Sequence, residues 1–139
     1  MRGIGTALAS VLLAGCAAAA GDGRADACGN ADGALDDAAF VIATAPAAGA
    51  RVSSGFAVAG CSRTFESTVV WRLHARNGGL LAQGTATGGG VDGPGPFAFE
   101  VPFSVAERQI GTLEVFEEDA SDGEGFPPGR TVLPLVLHP

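Results

Sequence analysis

The sequence predicts an all-β domain, an antiparallel sandwich of six or seven short strands, preceded by an export leader and a flexible linker. Three observations carry that reading. Residues 69 to 76 and 97 to 105 alternate apolar with polar side chains, the period of a half-buried strand. With 22 Gly and 8 Pro, roughly a fifth of the chain against an average of about an eighth, the sequence is punctuated into short runs. No stretch repeats its apolar residues with the period of a helix.

Residues 1 to 15 read as the leader: Arg2, an uncharged run of about ten residues, then small residues ahead of Cys16. A spanning helix needs about twenty strongly apolar residues, whereas this run dissolves into Ala17 to Ala20 and Gly21-Asp22. Leu13-Ala14-Gly15-Cys16 resembles the lipobox of bacterial lipoproteins at all four positions. The resemblance implies that the Cys16 sulfur receives diacylglycerol and that cleavage makes Cys16 the first mature residue. It also implies, from Ala17 at the sorting position, the outer membrane facing the periplasm if the source is Gram-negative. Each buried CH₂ contributes about 0.8 kcal/mol, so two or more acyl chains anchor stably where one does not. The alternative is an ordinary secretory leader cut nearby. Covalent lipid is the only prosthetic group expected.

With Cys16 assigned to lipid, Cys28 and Cys61 remain as an even pair in an oxidising compartment, and a disulfide is the expectation. Two free thiols or a metal pair are the alternatives, the metal disfavoured because His74 and His138 lack ligand spacing to either Cys. Residues 16 to 39 are rich in Ala, Gly and Asp, with too little apolar surface to offset the entropy of ordering them, and read as a tether.

The domain is expected over residues 40 to 139. Phe40 to Thr44 suits an edge strand ending in the Pro46 to Gly49 turn, and Phe56 to Cys61 a second strand. Val69, Trp71, Leu73 and Ala75 alternate with Val70, Arg72, His74 and Arg76, placing the first set in the core. Asn77-Gly78 suits a tight two-residue hairpin turn with both residues at positive φ, returning the chain through Leu80 to Gln83. Residues 84 to 96, mostly Gly, Thr and Pro, are expected to form a mobile loop. Phe97, Phe99, Val101, Phe103 and Val105 point inward, with Pro102 marking an edge or a bulge. Gly111, Leu113 and Val115 line the inner face of the next strand. For the closing strand, Arg130 to Leu137, two inward faces compete: Leu133, Leu135 and Leu137 against Val132 and Val136. Strands of this number and spacing describe a sandwich of immunoglobulin-like type.

The succession of residues also resembles Gmad2, an immunoglobulin-like domain of bacterial spore-germination and other envelope lipoproteins. The matching elements are Pro46 with Gly49, Val52-Ser53-Ser54, Val58 and Gly60, Phe65-Glu66 before Val69, and Gly79-Leu80-Leu81-Ala82 with Gly84. Pro96-Phe97, Gly111 with Leu113 and Val115, and Ser121-Asp122-Gly123 before Val132 and Leu135 continue the series. It spans about residues 40 to 138. Where members often carry Pro after the paired Ser, this chain has Gly55. The resemblance implies an extracytoplasmic accessory domain with no catalytic residues to carry over.

Composition narrows the function. The chain has no lysine, which removes Walker-type phosphate loops, Schiff-base chemistry and a lysine general base. A net charge of -7 opposes nucleic-acid binding. Ser53-Ser54-Gly55 lacks a nucleophile-elbow pattern, so no enzyme activity is expected. Glu117 to Glu124 is dense in the hard oxygen ligands that calcium takes, Asp119, Asp122 and Glu124 among them. It lacks the spacing of a helical calcium loop, so an Asp-Gly turn with solvated acids is the expectation and no metal is assigned. Glu66 is expected to satisfy backbone donors or pair with an Arg, with partner contact as the sharper reading. Arg72, His74 and Arg76 form a basic stripe: a solvated face, or a landing strip for an anionic glycan or an acidic protein segment. The function expected is a non-catalytic envelope lipoprotein making protein-protein or envelope contacts. The alternative is a module binding an envelope glycan or calcium through the 84 to 95 loop and the acidic turn.

Overall fold

A computed structural model describes residues 28–125 and 128–139. Among them are eight strands and no α-helix: β1 (Phe40–Ala45), β2 (Arg51–Val52), β3 (Phe56–Arg63), β4 (Thr68–His74), β5 (Leu80–Thr87), β6 (Gly95–Val101), β7 (Gln109–Phe116) and β8 (Arg130–Leu137). They build two sheets, one of three strands in the order β1-β3-β6 and one of five in the order β2-β8-β7-β4-β5. All pairs are antiparallel except the two-residue β2, which lies parallel to the end of β8. β2 is the strand that sequence patterning missed, since two residues carry no period.

The facing sides of the sheets form one core. Val69, Trp71 and Leu73 of β4 and Leu113 and Val115 of β7 are buried, facing Val58 of β3 and Phe97 and Val101 of β6. The ambiguity of β8 is resolved by register. Leu135 lies opposite Gly111 and Leu133 opposite Leu113, and cross-strand partners share a face. Leu133, Leu135 and Leu137 therefore go inward, and Val132 is left 48% exposed.

Both corners of the sandwich are closed by side chains. At one, Trp71 of β4 stacks on Phe99 of β6. At the other, the Thr131 hydroxyl of β8 donates to Val41 O at 2.8 Å and accepts from Ala43 N at 3.1 Å, reaching two backbone groups on β1 that have no strand on that side.

Three expectations about loops are corrected. Gly84 to Thr87 belong to β5, paired with Thr68 to Trp71 of β4, and Gly95-Pro96 to β6, paired with Cys61 and Ser62 of β3; opposite Trp71, a Cβ on Gly84 would come within 2.6 Å of the indole Cζ2. Between them, Gly88, Gly89 and Gly90 are pressed against Ser62, the Gly95 backbone and Ser67, leaving no room for side chains. Gly there serves packing. The β4–β5 connection is a three-residue turn: Gly78 N donates to Ala75 O and Ala75 N to Gly79 O, with only Gly78 at positive φ. Phe103 and Val105 fall beyond β6 yet still pack against the core.

Cys28 and Cys61 form a disulfide, Cα atoms 5.3 Å apart. From Cys28 to Ala39, where a tether was expected, the chain makes turns closed by Asn30, whose carboxamide accepts from Leu35 N and donates to Asp36. Gly55 sits at φ 83°, which the proline ring cannot reach, so the departure from the family pattern belongs to a different turn.

Candidate functional site

β4 and β7 run antiparallel through the centre of the larger sheet, so the chain's chemistry collects at their two ends. At one end lie the residues before β4 and after β7; at the other, those after β4 and before β7. The eight residues of β7 separate the ends by about 25 Å.

The first end is acidic and centred on an exposed aromatic ring. Thr64 N donates to Gly89 O at 3.1 Å and Gly88 N to Ser67 O at 2.9 Å, which binds the β3–β4 turn to the glycine-rich loop. The turn holds Phe65 76% exposed, while its amide donates to Glu117 Oε1 at 2.7 Å. The role expected of Glu66, satisfying a backbone donor, therefore falls to Glu117. The Glu66 side chain is exposed, and its carbonyl accepts from Thr68 Oγ1. Clefts of about 710 Å³ and 350 Å³ flank Phe65. Asp37 lines one of them, Glu66 the other, and Glu117, Glu118 and Asp119 line both.

Beyond them Asp122 and Gly123 both take positive φ, and Glu124 N donates to Ser121 O: the Asp-Gly turn expected from sequence. Asp119 Oδ1 accepts from Ser121 Oγ at 2.6 Å and Ser121 N at 2.9 Å. These bonds, the hydroxyl first, hold the Asp119 carboxyl below its usual value. Asp119, Asp122 and Glu124 do not converge: among the described residues no group of three or more His, Cys, Asp or Glu is placed to hold a metal.

The basic stripe of β4 divides. Arg72 lies over the Phe116 ring, 5.0 Å from its centroid, with Arg130 at 5.4 Å from the same ring. His74 Nε2 is 3.6 Å from Glu114 Oε2, and Arg130 is 3.7 Å from the other carboxylate oxygen. Arg72 and His74 thus hold the outer face of the larger sheet together. Arg76 belongs elsewhere, at the second end, where Gln109 Oε1 accepts from its amide at 3.1 Å.

There Arg76 meets Arg51, which opens β2, and Arg108, which precedes β7, around a cleft of about 300 Å³ floored by Ile110 and Val136. All three arginines are exposed, as is Ile110 at 51%, and among the described residues none of the three forms an ion pair. Sequence reading named only Arg76. Arg51 and Arg108 stand far from it along the chain, and only the strand order β2-β8-β7-β4 brings them together. Ser54 has a structural task, its Oγ accepting from Phe103 N at 3.0 Å. Cys16, the lipidation candidate, lies outside the described residues.

Residues 40–124, more than half of the chain, match the immunoglobulin-like domain of bacterial spore germination, Gmad2. Among curated proteins nothing matches. Among solved structures the chain is similar to the crystal structure of CopC from Methylosinus trichosporium OB3b. The two share 18% identity with a TM-score of 0.42, over 73% of this chain and 95% of that one.

Proposed function

The chain belongs to the Gmad2 family of immunoglobulin-like domains, and from that membership we propose that it is a non-catalytic binding module of the cell envelope, held at a membrane by lipid on Cys16. The observation that carries the reading is the Cys28–Cys61 disulfide. Such bonds form and persist in oxidising compartments outside the cytoplasm, where the leader and the lipobox-like Leu13-Ala14-Gly15-Cys16 would deliver the chain. The family supplies a sandwich and no catalytic set, and function falls to surface contact with an envelope protein. If the source is Gram-negative, Ala17 favours the outer membrane, facing the periplasm. Fractionation of cells expressing the full chain tests the anchor: the wild type is expected with membranes, carrying the acyl mass on Cys16. Cys16→Ser is expected to lose both, and a wild type recovered unmodified in the soluble fraction would refute it.

A second reading, a glycan-binding module, has one observation in its favour. The Thr64-Phe65 turn joins the glycine-rich loop, through Gly89, to the acidic end, through Glu117, so the two segments expected to bind a ligand share one end. Capture from envelope extract separates the readings: a specific protein supports the first, and retention on envelope glycan with no protein supports the second.

A further inference from the structure

The two ends of the larger sheet are complementary to each other, and among the described residues the charged side chains of neither form an ion pair. One presents Phe65 as an exposed apolar knob between clefts lined by Glu66, Glu117, Glu118 and Asp119. The other presents an apolar floor, Ile110 and Val136, ringed by Arg51, Arg76 and Arg108. On the outer face of the larger sheet Arg72 and Arg130 lie over Phe116 and Arg130 also reaches Glu114, whereas among the described residues Arg51, Arg76 and Arg108 meet neither an aromatic ring nor a carboxylate. We propose that this arginine cleft receives Phe65 and its flanking carboxylates from a second copy of the chain, so that the domains associate head to tail. This goes beyond envelope attachment to the arrangement of copies on it.

Charge complementarity selects the geometry. A two-fold pairing through one end alone would set arginines against arginines or carboxylates against carboxylates, which costs association. A head-to-tail pairing sets each carboxylate near a guanidinium and the Phe65 ring among arginine planes and apolar side chains, contacts favourable to an aromatic face. Such a contact leaves one free end of each kind, so it propagates into rings where its rotation closes and into open chains where it does not. Copies confined to one membrane surface meet at a raised effective concentration, so a weak contact suffices.

Sedimentation of the disulfide-bonded full chain carrying Cys16→Ser, which takes no lipid, tests this. At about 0.05 M salt the weight-average mass is expected to rise with protein concentration, and at about 1 M salt, where screening is strong, to fall to the monomer. Arg76→Glu with Arg108→Glu spoils one end and Phe65→Ser the other; these positions are exposed, and unchanged circular dichroism checks the fold. Each variant alone is expected to associate at least about tenfold more weakly. An equimolar mixture of the two variants is expected to form dimers and nothing larger, because each brings one intact end. A wild type that stays monomeric at low salt overturns the proposal, as does association that survives both variants. So does a monomer that instead binds vesicles of anionic phospholipid through the same arginines, which would assign the cleft to lipid.

Discussion

Trp71 of β4 and Phe99 of β6 stack face to face, 5.2 Å between ring centroids and 6° from parallel. Each sheet thus supplies half of one aromatic pair, worth about 0.5 to 1.5 kcal/mol beyond the area it buries. The pair depends on Gly84, since a Cβ there would overlap the indole.

Gly84→Ala is therefore expected to push the indole off its partner and destabilise the domain by about 1 to 3 kcal/mol. Urea denaturation gives the loss, and a changed near-ultraviolet dichroism of the single Trp locates it. A variant as stable as the wild type would show that β5 can yield without disturbing the stack.

Thr131→Val keeps the shape of the side chain and deletes the hydroxyl that joins β8 to β1. Leaving Val41 O and Ala43 N without that partner is expected to cost about 1 to 3 kcal/mol. Amide exchange at Ala43 should accelerate more than exchange in β7, which distinguishes an opened corner from a general loss of stability.

Cys61 is fully buried on β3, and its bond to Cys28 spans 33 residues. In the chain-entropy account, closing a loop of that size contributes about 3.5 to 4 kcal/mol. Cys28→Ala with Cys61→Ala is expected to lose up to that amount in chemical denaturation while the strands persist in far-ultraviolet dichroism.

Asp119 carries the pH prediction. Its carboxyl is held below 3.8 by the Ser121 hydroxyl and amide, so the folded state binds its proton less readily than the unfolded chain does. The contribution to stability is present above 3.8 and is lost as pH falls through the lower folded value. Ser121→Ala is expected to raise the Asp119 value toward 3.8, read from the side-chain carboxyl carbon in an NMR titration. No rise would mean that the amide bond alone sets it.

What patterning reveals depends on which interaction decides a residue's place. β4 is legible because Val69, Trp71 and Leu73 alternate with polar neighbours. The face of β8 is not, because both of its faces are rich in branched apolar residues, and only pairing with Gly111 and Leu113 of β7 chooses between them. Gly84 to Thr87 look like loop because glycine marks turns more often than it accommodates an indole across a strand pair. At the acidic end, the Asp122-Gly123 turn is encoded locally and is legible, whereas the Glu117 bond to Phe65 joins residues 52 apart and has no local signal. The same holds for the arginine cleft, assembled from three segments by strand order alone.

The Cys28–Cys61 bridge would also set the length of a leash for a chain lipidated at Cys16. With lipid on Cys16, as proposed, twelve residues run from membrane to the bridge, a reach of at most about 40 Å when fully extended. Counted to Phe40 at the start of β1 instead, the span would be 24 residues and about 80 Å. Fastening Cys28 to β3 thus halves the radius a tethered domain can explore and cuts the volume it sweeps by about eightfold. With the anchor proposed above, the bond that staples the domain would also decide how far from the membrane surface a partner could stand and still be touched.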